Sequence, residues 1–201
     1  MEISVRALGP IGANCYMIDK SVMIDPGDDT AGLDEFIKSE HADIGTVVLT
    51  HGHFDHILGC AHVKKRCGAK ILISRADAPA LADAGIALVP EYALSRFEPL
   101  EADGFLEAGK ISLAGHEFEI IPTPGHTKGG VCLLCREDGV MFTGDTLFAD
   151  GFGRTDFPGG SVRELADSIM HLFALPNGTY ICPGHGQGAY LGDIRARWGK
   201  R

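Results

Sequence analysis

The sequence predicts an α/β protein. Short apolar runs of strand length alternate with segments whose apolar residues recur three and four apart, the helical spacing. The alternation is present in both halves of the chain. Four strand ends run into His or Asp beside glycine, at 51–56, 126, 145 and 185. Open α/β sheets place their binding sites at this carboxyl end of the strands.

The chain has 201 residues, the size of one domain spanning 1–201. Hydrophobic residues make up 45% and charged residues 22%, the balance of a globular protein with a full core. A net charge of -9 excludes a phosphate-backbone grip, so no nucleic acid is expected as partner. No apolar run has the length of a membrane span. Met1 to Arg6 lacks the basic-then-apolar pattern of a signal peptide, which predicts a cytoplasmic protein. The six cysteines are then expected to be reduced. Cys132 and Cys135 are closely spaced, but they sit in an apolar, strand-like run with no second pair to complete a thiolate site. They read as buried strand residues.

The elements follow in order. Ile3, Val5 and Ala7 alternate within a first strand, 1–8. Residues 15–18 and 21–24 form a hairpin across Asp19-Lys20. The second strand ends in Asp25-Pro26-Gly27. Asp25 has two readings, a turn residue before Pro26 or an acid that orients a histidine. Thr30 is placed to cap a helix carrying Leu33, Phe36 and Ile37. The run Thr46-Val47-Val48-Leu49 is a buried strand that delivers Thr50-His51-Gly52-His53-Phe54-Asp55-His56, and a helix is expected over 57–67. Residues 70–74 are a further buried strand, and 76–84 a short helix. The segment 75–110 has no clean period and is the candidate lid or excursion, with a surface loop as the alternative. A hairpin around Gly115-His116 joins strands at 111–114 and 117–121. Pro124-Gly125-His126-Thr127 follows it. Strands at 130–135 and 139–143 come next, the second ending in Gly144-Asp145. After a glycine-rich loop, Ser161 and Glu164 have capping-box spacing. They open a helix with Val162, Leu165, Ile169, Leu172 and Phe173 on its apolar face. Tyr180-Ile181-Cys182 is the last strand, ending in Pro183-Gly184-His185. A terminal helix carries Leu191, Ile194 and Trp198.

The strand ends supply five histidines (51, 53, 56, 126, 185) and two aspartates (55, 145). Imidazole and carboxylate suit zinc, iron and manganese alike. One ion needs three or four protein ligands if a position is to stay open for water. Seven donors suit two ions sharing a carboxylate, a pair that holds a hydroxide nucleophile at neutral pH. His41, His62, His116 and His171 lie in helix or turn contexts and read as surface or structural residues. Tyr16 and Phe148 read as core or rim packing, with a cleft-lining role as the alternative.

His-x-His-x-Asp-His, Pro-Gly-His-Thr, Gly-Asp and Pro-Gly-His, in this order at strand ends, resemble the metallo-β-lactamase superfamily over nearly the whole chain. The resemblance implies a four-layer αββα sandwich. It implies one metal held by His51, His53 and His126, a second by Asp55, His56 and His185, and Asp145 bridging them. Gly144-Asp145-Thr146-Leu147-Phe148 and the segment Gly153 to Gly160 are similar to the short bacterial glyoxalase II group, which hydrolyses glutathione thioesters such as S-lactoylglutathione. The tail Gln187 to Gly192 departs from that group's Thr-rich segment and Asn-Pro-Phe ending.

The implied reaction is hydrolysis of a small-molecule thioester with two divalent ions, zinc foremost and iron or manganese as alternatives. Asp55 is placed to accept a proton from the attacking water, and a thiolate leaves without a general acid. Arg154 reads either as a grip on a substrate carboxylate or as the partner of Asp156. Two other functions compete. A persulfide dioxygenase of the same superfamily uses a single iron on positions matching His51, His126 and Asp145. A non-catalytic metal-binding domain is the other, and the complete donor set argues against it. Pro158-Gly159-Gly160 and Pro183-Gly184-His185-Gly186 favour the hydrolase.

Overall fold

The computed structural model describes residues 1–27 and 30–199. Two compact units account for the chain, Met1–Leu106 and Glu107–Arg201.

The first unit is built on a six-stranded sheet: β1 (Ile3–Leu8), β2 (Ala13–Ile18), β3 (Val22–Ile24), β4 (Thr46–Val48), β5 (Lys70–Ser74) and β6 (Gly104–Leu106) lie side by side in that order. β2 runs antiparallel to both β1 and β3, as tight hairpins require. From β3 to β6 the pairing is parallel. The carboxyl ends of β3, β4 and β5 therefore share one edge of the sheet. β2 and β3 are buried along their whole length, in keeping with their apolar composition, Asn14 excepted. α1 (Thr30–Ser39) buries Leu33, Phe36 and Ile37, the three- and four-residue spacing expected of it. Thr30 is the first helical residue and not its cap; the position before it lies outside the described residues.

The single helix expected over 57–67 is two helices, α2 (Phe54–Ile57) and α3 (Cys60–Cys67). The break falls at Gly59, whose N–H donates to the Pro26 carbonyl at 3.0 Å and not back along the helix. Helix formation also begins earlier than expected, so Asp55 and His56 sit on a helical turn.

In place of a helix over 76–84 there is a 3₁₀ turn at Ala78–Leu81, with Pro79 in its first turn. The Asp83 carboxylate then accepts from the N–H groups of Gly85 and Ile86, closing the turn. A second 3₁₀ helix spans Glu91–Arg96. The candidate excursion is tied into the unit: Ala80, Leu81 and Ala87 belong to its core, with Val47, Ile71 and Ile73. β6 was not legible in the sequence, because three residues are too few to show alternation.

The second unit carries a six-stranded sheet in the order β12-β11-β10-β9-β8-β7. Its strands are β7 (Gly109–Leu113), β8 (His116–Pro122), β9 (Val131–Cys135), β10 (Val140–Gly144), β11 (Tyr180–Pro183) and β12 (Ala189–Tyr190). The hairpin turn between β7 and β8 is Ala114-Gly115, both at positive φ (52° and 83°), so His116 already lies in β8. β8 and β10 each run antiparallel to β9, and β10 runs parallel to β11. β8, β10 and β11 thus point the same way. β9 is buried throughout, Cys132 and Cys135 included, and all six cysteines are free thiols.

α4 (Val162–Leu172) opens on Ser161, whose Oγ accepts the Glu164 N–H at 3.2 Å, as the capping-box spacing predicts. Leu165, Ile169 and Leu172 are buried. Val162 is not; it is 70% exposed, at the margin of the stripe in one row with Ala166 and Met170. α5 (Leu191–Trp198) buries Leu191 and Ile194 and closes this core. Among the described residues, no helix is long and apolar enough to cross a membrane.

Candidate functional site

In the first unit the candidate donors follow two of the four strands in the parallel run β3 to β6. Asp25 comes directly after β3, and His51 to His56 come after β4. Asp25 adopts a left-handed backbone conformation, φ 52°, costly for a residue with a side chain and held only when its surroundings demand it. Its contacts supply the demand. Oδ1 accepts the Thr50 N–H at 2.8 Å, and Oδ2 accepts the Thr50 hydroxyl at 2.6 Å and His56 Nδ1 at 2.9 Å. Of the two readings of Asp25, the structure shows the histidine contact.

These contacts fix the histidine tautomers. A carboxylate only accepts, so His56 carries its proton on Nδ1 and directs the lone pair of Nε2 outward. The Thr50 hydroxyl spends its proton on Asp25, so it accepts from His51 Nδ1 at 3.1 Å. His51 therefore also presents Nε2 as a lone pair. One aspartate orients two imidazoles, the arrangement that supports metal-ligating histidines.

The three histidines are closely packed. The His51 ring lies 4.9 Å from that of His53, edge to face, and 4.2 Å from that of His56. Donor atoms of Asp25, His51 and His56 all lie within 4.8 Å of one another. All of these residues, with Asp55, are buried. His56 Nε2 faces Asp55 Oδ2 at 3.7 Å. With Nδ1 protonated, that pair sets a lone pair against a carboxylate oxygen, a juxtaposition that a cation relieves.

The loop itself is held from outside. The Gly52 N–H donates to Asp77 Oδ2 at 3.0 Å, and the Phe54 N–H to the Ala87 carbonyl at 2.8 Å. Gly27 lies so close that a Cβ there would be 2.5 Å from the Asp55 carbonyl oxygen; only glycine admits this backbone approach. Nothing in the sequence marks Asp77 and Ala87 for this task, since both lie in the stretch without periodicity and act across the fold.

In the second unit, His126 follows β8, Asp145 follows β10 and His185 follows β11. The structure brings these three together. His126 Nε2 and His185 Nε2 each lie 3.6 Å from the same oxygen, Asp145 Oδ2. His126 Nδ1 is 2.7 Å from the Arg154 carbonyl. A carbonyl has no proton to give, so His126 is protonated on Nδ1 and turns the lone pair of Nε2 towards Asp145. The parallel pairing of β10 with β11, continued by Gly184 N–H to Gly144 O at 2.8 Å, sets the Asp145 and His185 loops side by side. Phe148 packs edge-on to the His185 ring at 6.1 Å; Tyr16 is buried in β2.

The Arg154 side chain grips Asp156 with two hydrogen bonds, Nε to Oδ1 at 2.7 Å and a terminal nitrogen to Oδ2 at 2.6 Å, and stacks on Phe157 at 3.9 Å. The hydrogen-bonded guanidinium holds the Asp156 carboxyl down at about 2. The remaining histidines are elsewhere: His62 pairs with Asp34 at 2.7 Å and His116 faces Asp138 at 3.6 Å.

Each unit thus presents oriented imidazoles and carboxylates at the carboxyl ends of codirectional strands, a donor chemistry that fits divalent metal. The comparisons with known proteins define the class. The family description "Metallo-beta-lactamase superfamily" matches residues 8–185. The chain belongs to this superfamily, whose members are mostly hydrolases. It is 33% identical to the hydroxyacylglutathione hydrolase GloC of Haemophilus influenzae, over 96% of this chain and 94% of that protein. It is 31% identical to the probable metallo-hydrolase YqgX of Bacillus subtilis, over 89% and 87%. Among solved structures it resembles the BLEG-1 B3 metallo-beta-lactamase with a TM-score of 0.89 and 29% identity, covering 97% of each chain. It also resembles TTHA1623 in a di-iron-bound form, with a TM-score of 0.85 and 32% identity over 96% and 97%. The metallo-β-lactamase fold expected from the sequence is the fold of these neighbours.

Proposed function

We propose that this protein is a cytoplasmic metal-dependent thioesterase, acting on S-acylglutathiones such as S-lactoylglutathione. The observation that carries the reading is the likeness to the Haemophilus hydroxyacylglutathione hydrolase along nearly the whole chain, joined to donor sets whose tautomers suit metal. His51, His53 and His126 are proposed to hold one ion, Asp55, His56 and His185 the other, with Asp145 shared. Zinc is the proposed metal; the di-iron form of a neighbour supports iron as the alternative. Two bound divalent ions supply an acidified water and a Lewis acid for the carbonyl at neutral pH.

The chain's own groups have defined tasks in this reading. Asp25 and the Arg154 carbonyl keep the histidine protons on Nδ1, so that Nε2 is the donor. Asp55, on the first turn of α2, accepts the proton of the attacking water. The departing thiolate needs no general acid, and none is assigned. Arg154 takes a substrate carboxylate only by releasing Asp156.

Metal analysis of the purified protein tests the reading together with turnover of S-lactoylglutathione. Close to two metal equivalents and thioester hydrolysis are expected. One tightly held iron per chain, with oxygen consumed on glutathione persulfide and no thioester cleavage, establishes the dioxygenase in its place. Metal binding without either activity establishes the non-catalytic domain. Asp145→Asn is expected to lower metal content and turnover together; unchanged turnover refutes its shared role.

A further inference from the structure

In the glycine-rich loop after β10, Gly153 makes a close approach to the donor set of the second unit that neither the ligand motifs nor the proposed reaction uses. Gly153 is buried, whereas its neighbours Phe152 and Arg154 are exposed. A Cβ built on Gly153 would lie 2.0 Å from the Asp145 carbonyl oxygen, 2.7 Å from His126 Nδ1 and 3.0 Å from His126 Cγ. One backbone position is therefore in contact with two candidate ligands, and neither the Asp145 main chain nor an imidazole ring can yield that much room. The next residue supplies the Arg154 carbonyl that accepts the Nδ1–H at 2.7 Å.

The loop is pinned on both sides of this point. The Phe148 N–H donates to the Gly151 carbonyl, the Gly160 N–H to the Phe157 carbonyl, and the Ser161 N–H to the carbonyl of Gly125, the residue before His126, each at 2.8 Å. The bidentate Arg154–Asp156 pair and the stack on Phe157 clamp the Arg154 side chain outside. Gly151, two residues earlier in the same loop, would meet nothing within 4 Å on gaining a Cβ.

We infer that Gly153 is a positioning residue for the metal ligands of the second unit: its missing side chain lets the Arg154 carbonyl reach His126 Nδ1, which sets Nε2 towards Asp145. The inference rests on the reading of His126 and Asp145 as ligands. A Cβ at 153 pushes the loop off the imidazole, the Nδ1–H loses its acceptor, and the ring is free to protonate on Nε2, the nitrogen that must bind metal. Loss of such an orienting hydrogen bond lowers metal affinity about 10–100-fold.

The test compares Gly153→Ala with Gly151→Ala in the full chain. Zinc affinity is read by chelator competition, and the His126 tautomer by long-range ¹H–¹⁵N correlation on metal-free protein. Wild type and Gly151→Ala are expected to show His126 protonated on Nδ1, with affinities within about twofold of each other. Gly153→Ala is expected to show Nε2 protonation and a fall in affinity in the range of about 10–100-fold. A Gly153→Ala protein that keeps the Nδ1 tautomer and wild-type affinity overturns the inference. Should that variant fail to fold, the wild-type spectrum decides, since His126 protonated on Nε2 overturns it directly. Wild type that binds two equivalents of zinc but does not cleave S-lactoylglutathione removes the thioesterase reading and leaves this inference standing.

Discussion

Replacing Asp25 with asparagine is the sharpest perturbation of the first unit. The change is isosteric, and Oδ1 can still accept the Thr50 N–H. The other terminus becomes an NH₂ group. It can accept neither the Thr50 hydroxyl proton, now at 2.6 Å, nor the His56 Nδ1–H, now at 2.9 Å. Asp25, Thr50 and His56 are all buried, with 2% exposure or less, so water does not readily take the lost places. A buried donor left without its acceptor costs about 1–3 kcal/mol, and two donors cost about 2–6 kcal/mol. Urea unfolding of metal-stripped protein should show that loss against wild type. Chelator competition should show metal affinity down about 10–100-fold, because His56 and, through Thr50, His51 lose their fixed tautomers. A stability change under about 0.5 kcal/mol with unaltered metal affinity would refute the orienting role, since surface-like behaviour of that size leaves no room for two buried hydrogen bonds.

Three further outcomes are expected. Ser161→Ala removes the cap on α4 and should cost about 1 kcal/mol in chemical denaturation, with far smaller effect at exposed Glu91. NMR titration should place the Asp156 carboxyl midpoint at about 2. Its folded value lies below the ordinary carboxylate value, so the stabilisation is complete above about pH 4 and fades as pH falls towards 2; Arg154→Ala should restore an ordinary midpoint. Burial raises the Cys132 thiol to about 11 and the Cys182 thiol to about 12, and Cys15 and Cys60 are raised by burial too. A thiol reagent at neutral pH should therefore find at most the half-buried Cys67 quickly and all six only after denaturation; rapid labelling of Cys132 would contradict its place in β9.

The sequence was most informative where one local rule governs. β5 fell at 70–74 because five residues between a glycine-containing loop and a turn admit little else. The α4 cap was legible because Ser161 and Glu164 meet within one turn. The histidine-bearing strand ends were legible because glycine beside His or Asp after an apolar run has no packing rationale. Legibility failed where distant backbone decides. Gly59 breaks the helix through the Pro26 carbonyl, 33 residues back in the chain. The Arg154 carbonyl that fixes His126 is a backbone group, which no side-chain pattern announces. The sequence admits two roles for the side chain of Arg154, and its paired geometry with Asp156 displays one of them.

The contact of Asp25 with both Thr50 and His56 makes the properties of two histidines inseparable. A substitution at Thr50 removes the acceptor of the His51 Nδ1–H and one of the two donors on the carboxylate oxygen that holds His56. Effects at Asp25, Thr50 and His56 should then fail to sum, with coupling of about 0.5–3 kcal/mol in double-mutant cycles. A change made at one imidazole of this loop is therefore felt at its neighbour, through the carboxylate that both depend on.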